Sequence, residues 1–234
     1  MQTYLKGPPI PYAPTDTELY PETDGKPMAA SDMHREILIR ILQTLEAHFE
    51  QYPDVYISGD IMMYDIEGPR RTAISPDVLI AFGLGRKQRR TYKVWEEGKS
   101  PDFVMELSSA STYENDLTTK MEHYARMGIQ DYFLYDAERQ YLPSPLMGFT
   151  LVDGVYVEIQ PSVDEGLHSG ALGLDFHLRG EHFEIYDPVA KKWLQTAAEA
   201  AEARVEQEAA ARQKAETEVE RLREELARLR ANTE

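Results

Sequence analysis

Residues 101–135 read PDFVMELSSASTYENDLTTKMEHYARMGIQDYFLY, and the hydrophobic period changes twice within them. Phe103, Met105 and Leu107 alternate with Asp102, Val104, Glu106 and Ser108, the period of two that marks a strand. From Thr112 to Met127 the period lengthens. Leu117, Met121, Tyr124 and Ala125 fall on one helical face, and Gly128 supplies a C-terminal stop. Asp131 to Tyr135 is a second short strand. Strand, helix and strand at this spacing make a crossover unit. The core is therefore mixed α/β.

Upstream, Ser31 is placed to cap a helix reaching about Phe49, because Ile37, Leu38, Ile41, Leu42, Leu45 and Phe49 recur at helical spacing and Asp32 sits in the first turn. β-rich runs follow at Val55 to Ile66 and Ala73 to Phe82, and with the two strands above they compose a central sheet flanked by helices. Residues 1–27 carry six prolines, too close together for a helix or a ladder strand, and read as an extended arm. Downstream, Asp153-Gly154 between Leu151-Val152 and Val155-Tyr156-Val157 is a two-residue hairpin signal. A second hairpin is expected around Arg179-Gly180, with a turn at Asp187-Pro188.

From Ala197 the composition turns to Ala, Glu, Arg, Gln and Leu without Gly or Pro, the pattern of a long helix. A heptad register puts Val205, Val219 and Leu226 at a, and Ala201, Ala215, Leu222 and Leu229 at d. Arg212 at a and Glu208 at d weaken it. The expected organisation is an arm over 1–27, a domain over 28–196 and a helix with coiled-coil character over 197–234.

The 234 residues carry 42% hydrophobic and 28% charged side chains, enough apolar material for one ordinary domain plus an appendage. With no cysteine, a disulfide framework, thiolate zinc sites and cysteine nucleophiles are excluded. A net charge of −16 argues against broad attraction to polyanions or anionic membrane, so such a partner needs a local basic patch. No signal-like N-terminus or spanning segment is present in the sequence, and a soluble cytoplasmic protein is expected.

Three places carry candidate chemistry. Ser75-Pro76-Asp77 puts a carboxylate at the start of an apolar strand, where an ordinary role is to cap a turn. Glu106 lies inside a strand on the face opposite Phe103, Met105 and Leu107, and an ionisable group there requires a partner or a metal. Asp116, Lys120 and Tyr124 recur at i, i+4 and i+8 along one helical stripe. Exposed, the Asp116–Lys120 pair would be worth only about 0.3 to 0.5 kcal/mol. Together, two carboxylates on neighbouring strands and a lysine on the next helix suit Mg²⁺, which takes hard oxygen ligands, keeps waters and binds substrate phosphate oxygens.

Ser75-Pro76-Asp77, Pro101 to Ser108, Ser111-Thr112, Asp116, Lys120, Tyr124, Gly128-Ile129, Asp131-Tyr132, Leu172-Gly173-Leu174 and Tyr186-Asp187-Pro188 resemble the pattern of the bacterial Uma-two family, a restriction-endonuclease-like group within the PD-(D/E)XK nuclease superfamily. The resemblance spans about residues 30–195 and leaves out the helical tail. It implies an α+β endonuclease-like core, with Asp77 and Glu106 as metal ligands, joined by the carbonyl of Leu107, and Mg²⁺ or Mn²⁺ as cofactor. Ser108 stands where the superfamily's lysine is usual, and the resemblance implies that Lys120 on the following helix replaces it. Asp116, Tyr124, Ser108, His34, Glu36 and Asp60 form a second tier.

The implied activity is metal-dependent hydrolysis of phosphodiester bonds in nucleic acid, DNA first. From the heptad pattern a homodimer is expected, joined through the core or through Val219 to Leu229. Arg86, Lys87, Arg89, Arg90 and Lys93 are the candidate phosphate contacts, with Arg70-Arg71 extending them. The ordinary alternative is a solvated loop balanced by Glu96 and Glu97. No base-reading module is recognisable. Two other classes fit the same residues: a catalytically inactive scaffold dimerised by its tail, and a phosphodiesterase acting on small nucleotides.

Overall fold

The computed structural model describes residues 20–21, 31–68 and 72–231. The Pro-rich arm, apart from Tyr20 and Pro21, and the Arg70-Arg71 pair lie outside the described residues, as do the side chains of Leu226 and Leu229. The chain divides into two units, Met1–Leu194 and Gln195–Glu234.

In chain order the elements are α1 (Asp32–His48), β1 (Val55–Ser58), β2 (Met63–Tyr64), β3 (Ala73–Ile74), β4 (Val78–Phe82), β5 (Tyr92–Lys93), α2 (Val94–Glu97) and β6 (Phe103–Leu107). Then come α3 (Tyr113–Asn115), a π-helical turn (Asp116–Lys120), α4 (Met121–Met127), β7 (Asp131–Tyr135), β8 (Leu146–Val152) and β9 (Val155–Glu158). The first unit closes with β10 (Leu167–Ser169), β11 (Leu174–Arg179), β12 (His182–Asp187) and β13 (Lys192–Trp193), and the second is α5 (Ala197–Ala231).

Six strands form the main sheet in the order β1-β4-β6-β7-β8-β9. Only β6 and β7 run parallel within it, joined by the helical crossover expected from residues 101–135. Both faces are buried. Phe103, Met105, Leu107, Phe133 and Tyr135 pack on α1 and on the four-stranded sheet β10-β11-β12-β13. Val104, Tyr132 and Leu134 pack on the opposite side, against Tyr124, Leu117 and Met121 of the crossover helix. That two-sided burial explains why β6 and β7 read as nearly continuous apolar runs, in which Glu106 stands out near the end of β6 and Asp131 begins β7.

The turn chemistry operates as the residues require. Ser31 Oγ accepts the His34 N–H at 3.1 Å and starts α1. Asp153 and Gly154 both have positive φ, 51° and 81°, as a two-residue hairpin with a primed turn demands. Asp187 Oδ1 accepts the N–H groups of Val189 and Ala190, closing the turn at Asp187-Pro188. Thr196 and Glu199 cap one another's backbone at the start of α5, a reciprocal capping box.

Two expected strands are each broken in two. The run Val55 to Ile66 divides at Gly59-Asp60, and Ala73 to Phe82 divides at Pro76-Asp77. Pro76 has no N–H to give to a ladder, and Asp60 sits at φ 51°. Their outer pieces, β2 and β3, join β5 in a separate three-stranded sheet. The breaks place Asp60 and Asp77 beside one another, with the Asp60 N–H on the Pro76 carbonyl at 3.1 Å.

Candidate active site

The β4–β6 ladder pairs Ile80 with Phe103, Leu79 with Val104 and Val78 with Met105. Continued by one residue, that register sets Asp77 opposite Glu106, and the side chains interlock there. Asp77 Oδ2 accepts the Leu107 N–H at 2.6 Å, and the Asp77 N–H approaches Glu106 Oε2 at 3.4 Å. The place is the carboxyl end of β6, where it lies beside its one parallel neighbour, and open α/β sheets bind ligands at such ends.

The crossover helix lies over this strand end. Tyr124 donates its hydroxyl to Glu106 Oε1 at 2.5 Å, and Lys120 Nζ lies 2.8 Å from Glu106 Oε2 and 3.1 Å from Asp116 Oδ1. Asp116 is fully buried; Ser108 donates to its Oδ2 at 2.9 Å, and Tyr132 donates to its backbone carbonyl at 2.9 Å. The Asp116–Lys120 pair is thus no exposed surface bridge. Asp116 Oδ1 has no hydrogen bond of proper geometry, although the amine is within ion-pair distance.

From the other side, His34 in the first turn of α1 brings Nε2 to 3.7 Å from Asp77 Oδ1. Asp60 completes the group at the rim, close enough to Asp77, His34 and Lys120 to feel their charges. Glu36 is exposed on α1 and makes no hydrogen bond or ion pair with the cluster. Gly59 and, beyond its place in the Asp131-Tyr132 motif, Tyr132 also belong to the site. A Cβ on Gly59 would lie 2.6 Å from the Asp77 carbonyl oxygen and 2.8 Å from Leu42 Cδ1, so only glycine lets the two strand ends approach. A glycine within a strand-like run was the available signal.

The electrostatics follow from four carboxylates gathered around one lysine. Burial pushes the Glu106 carboxyl up to about 8; Lys120 opposes the shift, and Asp77 and Asp116 add to it. Burial works against the charge on Lys120, but Glu106 and Asp116 outweigh it and hold the amine above its ordinary range. The nearby Asp77 carboxylate raises His34 against the effect of burial, and burial followed by the charge of Asp77 raises Asp60.

This donor set suits a hard divalent cation. It is dominated by carboxylate oxygens, has more negative charge than Lys120 can balance, and includes a buried oxygen without a hydrogen bond. Among the described residues no three His, Asp or Glu side chains form a ready-made cage. Magnesium needs only one or two carboxylates, with waters and phosphate oxygens supplying the rest.

The basic loop is largely tied to the protein itself. Arg89 makes a two-pronged pair with Glu97 at 2.8 Å on each arm, with its guanidinium 3.9 Å from the centre of the Tyr56 ring. Lys87 pairs with the same Glu97 at 3.1 Å, Lys93 with Glu96 at 3.0 Å, and Arg86 donates to the Phe49 carbonyl. Arg90 is exposed. The counter-charges are the Glu96 and Glu97 of the ordinary alternative. Asp102, four residues before Glu106, takes no part in the cluster and binds Lys99 and the Phe82 N–H.

A family model, Uma2, described as "Putative restriction endonuclease", matches residues 12–212. The match extends further at both ends than the 30–195 expected from the motifs and enters the C-terminal helix. A solved structure described as a putative nuclease belonging to DUF820 from Anabaena variabilis ATCC 29413 is similar at 12% identity with a TM-score of 0.44, over 61% of this chain and 74% of that one. No curated protein matches the chain.

Proposed function

Because this chain belongs to the Uma2 family, a nuclease family by its description, we propose that it is a metal-dependent endonuclease hydrolysing phosphodiester bonds in DNA, with its active site at Asp77, Glu106 and Lys120. The observation that carries this reading is the interlock of Asp77 with Glu106 beneath the Lys120 amine, 2.8 Å away, at the carboxyl end of β6. The Asp77 and Glu106 carboxylates and the Leu107 carbonyl are the groups that would hold Mg²⁺ or Mn²⁺, which supplies Lewis acidity toward the scissile phosphate and acidifies a water.

The protein's own groups have separable tasks. The Leu107 N–H fixes Asp77 through Oδ2 and leaves Oδ1 facing His34 and the rim. Tyr124 holds Oε1 of Glu106, fixing the rotamer of a side chain that is 1% exposed. Lys120 brings a permanent positive charge to the place where negative charge develops on phosphate oxygens, and the low dielectric of a buried site magnifies its effect. Asp60 and His34 line the open side, where substrate enters.

A second reading, hydrolysis of small nucleotides, is favoured by one observation: Arg86, Lys87, Arg89 and Lys93 already have partners within the chain, with Glu96 and Glu97 offsetting the charge of Lys87, Arg89 and Lys93 that a long backbone would otherwise meet. One experiment covers both. Linear and circular DNA, RNA and dinucleotides are incubated with Mg²⁺ or Mn²⁺, and with chelator, beside the Asp77→Ala, Glu106→Ala and Lys120→Ala proteins. Loss of either carboxylate is expected to abolish cleavage, and loss of Lys120 to slow it by roughly 10²-fold or more, the scale of losing one charge-stabilising donor. Normal cutting by all three variants would sink the assignment.

A further inference from the structure

The position two residues beyond Glu106 on the same face of β6 is Ser108, and it does not lie idle. Its hydroxyl donates to Asp116 Oδ2 at 2.9 Å, inside the protein where neither residue meets solvent. The other oxygen of Asp116, which has no hydrogen bond of its own, faces Lys120 Nζ at 3.1 Å. The same amine lies 2.8 Å from Glu106 Oε2. A chain of contacts therefore runs from one end of the strand back to its own carboxylate: Ser108 to Asp116, Asp116 to Lys120, Lys120 to Glu106.

The geometry points to Ser108 and Asp116 as a positioning pair for Lys120, which keeps the amine beside Glu106 without letting it neutralise that carboxylate completely. This inference rests on the reading of Asp77 and Glu106 as the cation-holding residues. An ammonium and a divalent cation compete for the same carboxylate oxygen. With Glu106 as its sole partner in a buried site, Lys120 would form the tightest contact available and oppose the cation at full strength. A second acid, anchored by a hydroxyl and by the Tyr132 bond to its backbone, gives the amine another place to rest within the same reach. The lysine can then yield Oε2 to a cation and still face the phosphate. The π-helical turn that spans Asp116 to Lys120 sets these two side chains together, and such turns frequently occur at functional sites.

Two other roles for Asp116 make different predictions. As a purely structural acid it would affect the fold and nothing else, and as a direct cation ligand it would act whether or not Lys120 is present. Ser108→Ala separates these because it removes the anchor without changing any charge.

The test is the Mn²⁺ dissociation constant of the full chain, measured by calorimetry for the unaltered protein, Ser108→Ala, Lys120→Met, the double variant and Asp77→Ala. Expected are weakening of roughly fivefold in Ser108→Ala, as the amine falls back onto Glu106, tighter binding in Lys120→Met, and no further effect of Ser108→Ala once Lys120 is gone, the signature of coupling through the lysine. Ser108→Thr, which keeps the hydroxyl, should bind as the unaltered protein does; it covers the case in which the alanine variant fails to fold. Equal weakening by Ser108→Ala in both backgrounds, or none in either, overturns the positioning role. If Asp77→Ala binds Mn²⁺ undiminished, the cation reading itself fails and the positioning role falls with it.

Discussion

Glu106 is a carboxyl held in a place that disfavours its charge, which gives it a measurable pH signature. Its folded-state pKa, about 8, lies above the ordinary 4.5. Below about 4.5 both folded and unfolded chains carry the proton, and the group contributes nothing. Between about 4.5 and 8 the unfolded chain has released its proton and the folded one has not, so stability falls as pH rises, and the loss is complete above about 8. A rise of that size, already net of the opposing effect of Lys120, corresponds to a loss on the order of 5 kcal/mol. Glu106→Gln removes it. Melting curves are expected to show the variant close to the unaltered protein at pH 5 and higher by roughly 5 °C or more at pH 8, while cleavage disappears. A difference that stays flat from pH 5 to 8.5 would mean that Glu106 is ionised throughout.

At the scale of elements, the site depends on two irregularities more than on any regular strand or helix. One is the pair of breaks at Gly59-Asp60 and Pro76-Asp77, which turns two strand ends toward each other; the other is the π-helical turn Asp116–Lys120. An added residue in an α-helix makes such a turn, so removing one should restore the regular register. The Thr118 side chain is exposed, and its hydroxyl donates to the Glu114 carbonyl at 2.6 Å. Its deletion is expected to leave α4 packed through Tyr124 and to rotate Asp116 away from Ser108 and Lys120. Cleavage should fall at least tenfold while the melting temperature drops by no more than roughly 5 °C, a loss near 1 to 2 kcal/mol; retained activity would show that the turn's geometry is incidental. The strand-helix-strand core was legible because alternation, helical spacing and Gly128 each speak for one element, and the Asp153-Gly154 hairpin because its turn needs those residues. The π-helical turn was not, since an i, i+4, i+8 stripe fits an ordinary helix equally well over so short a stretch. Nor was the burial of Asp116: polar partners such as Ser108 and Tyr132 make it tolerable, and they meet it only through tertiary contact. Arg89 looked like a phosphate contact because spacing along the chain says nothing of Glu97 closing onto it.

At the scale of the whole molecule, charge and the second unit bear on assembly. The tail carries little of the −16 net charge, so the acidic character belongs mainly to the first unit. Among the described residues no helix is long and apolar enough to cross a membrane. In α5, Val205, Val219 and Leu222 are exposed at 66%, 46% and 47%, and they occupy a, a and d of the heptad register. A helix of 35 residues rich in Ala, Glu and Arg can persist alone, aided by pairs such as Arg212–Glu216 at 2.8 Å, but three aligned apolar side chains in water favour pairing with another copy. Glu208 and Arg212 interrupt the seam in its middle, so pairing through α5 is expected at Val219 to Leu229. The first unit reaches its last buried side chain at Leu194, and the capping box at Thr196 belongs to α5. A chain ending at Thr196 is therefore expected to melt within roughly 3 °C of the full chain, since surface changes of this kind stay near half a kcal/mol. It should cleave at the same rate per site, and light scattering is expected to give a dimer for the full chain and a monomer for the shortened one. A mass per chain that stays that of a dimer after truncation would move the interface to the first unit and leave α5 as a solvated single helix.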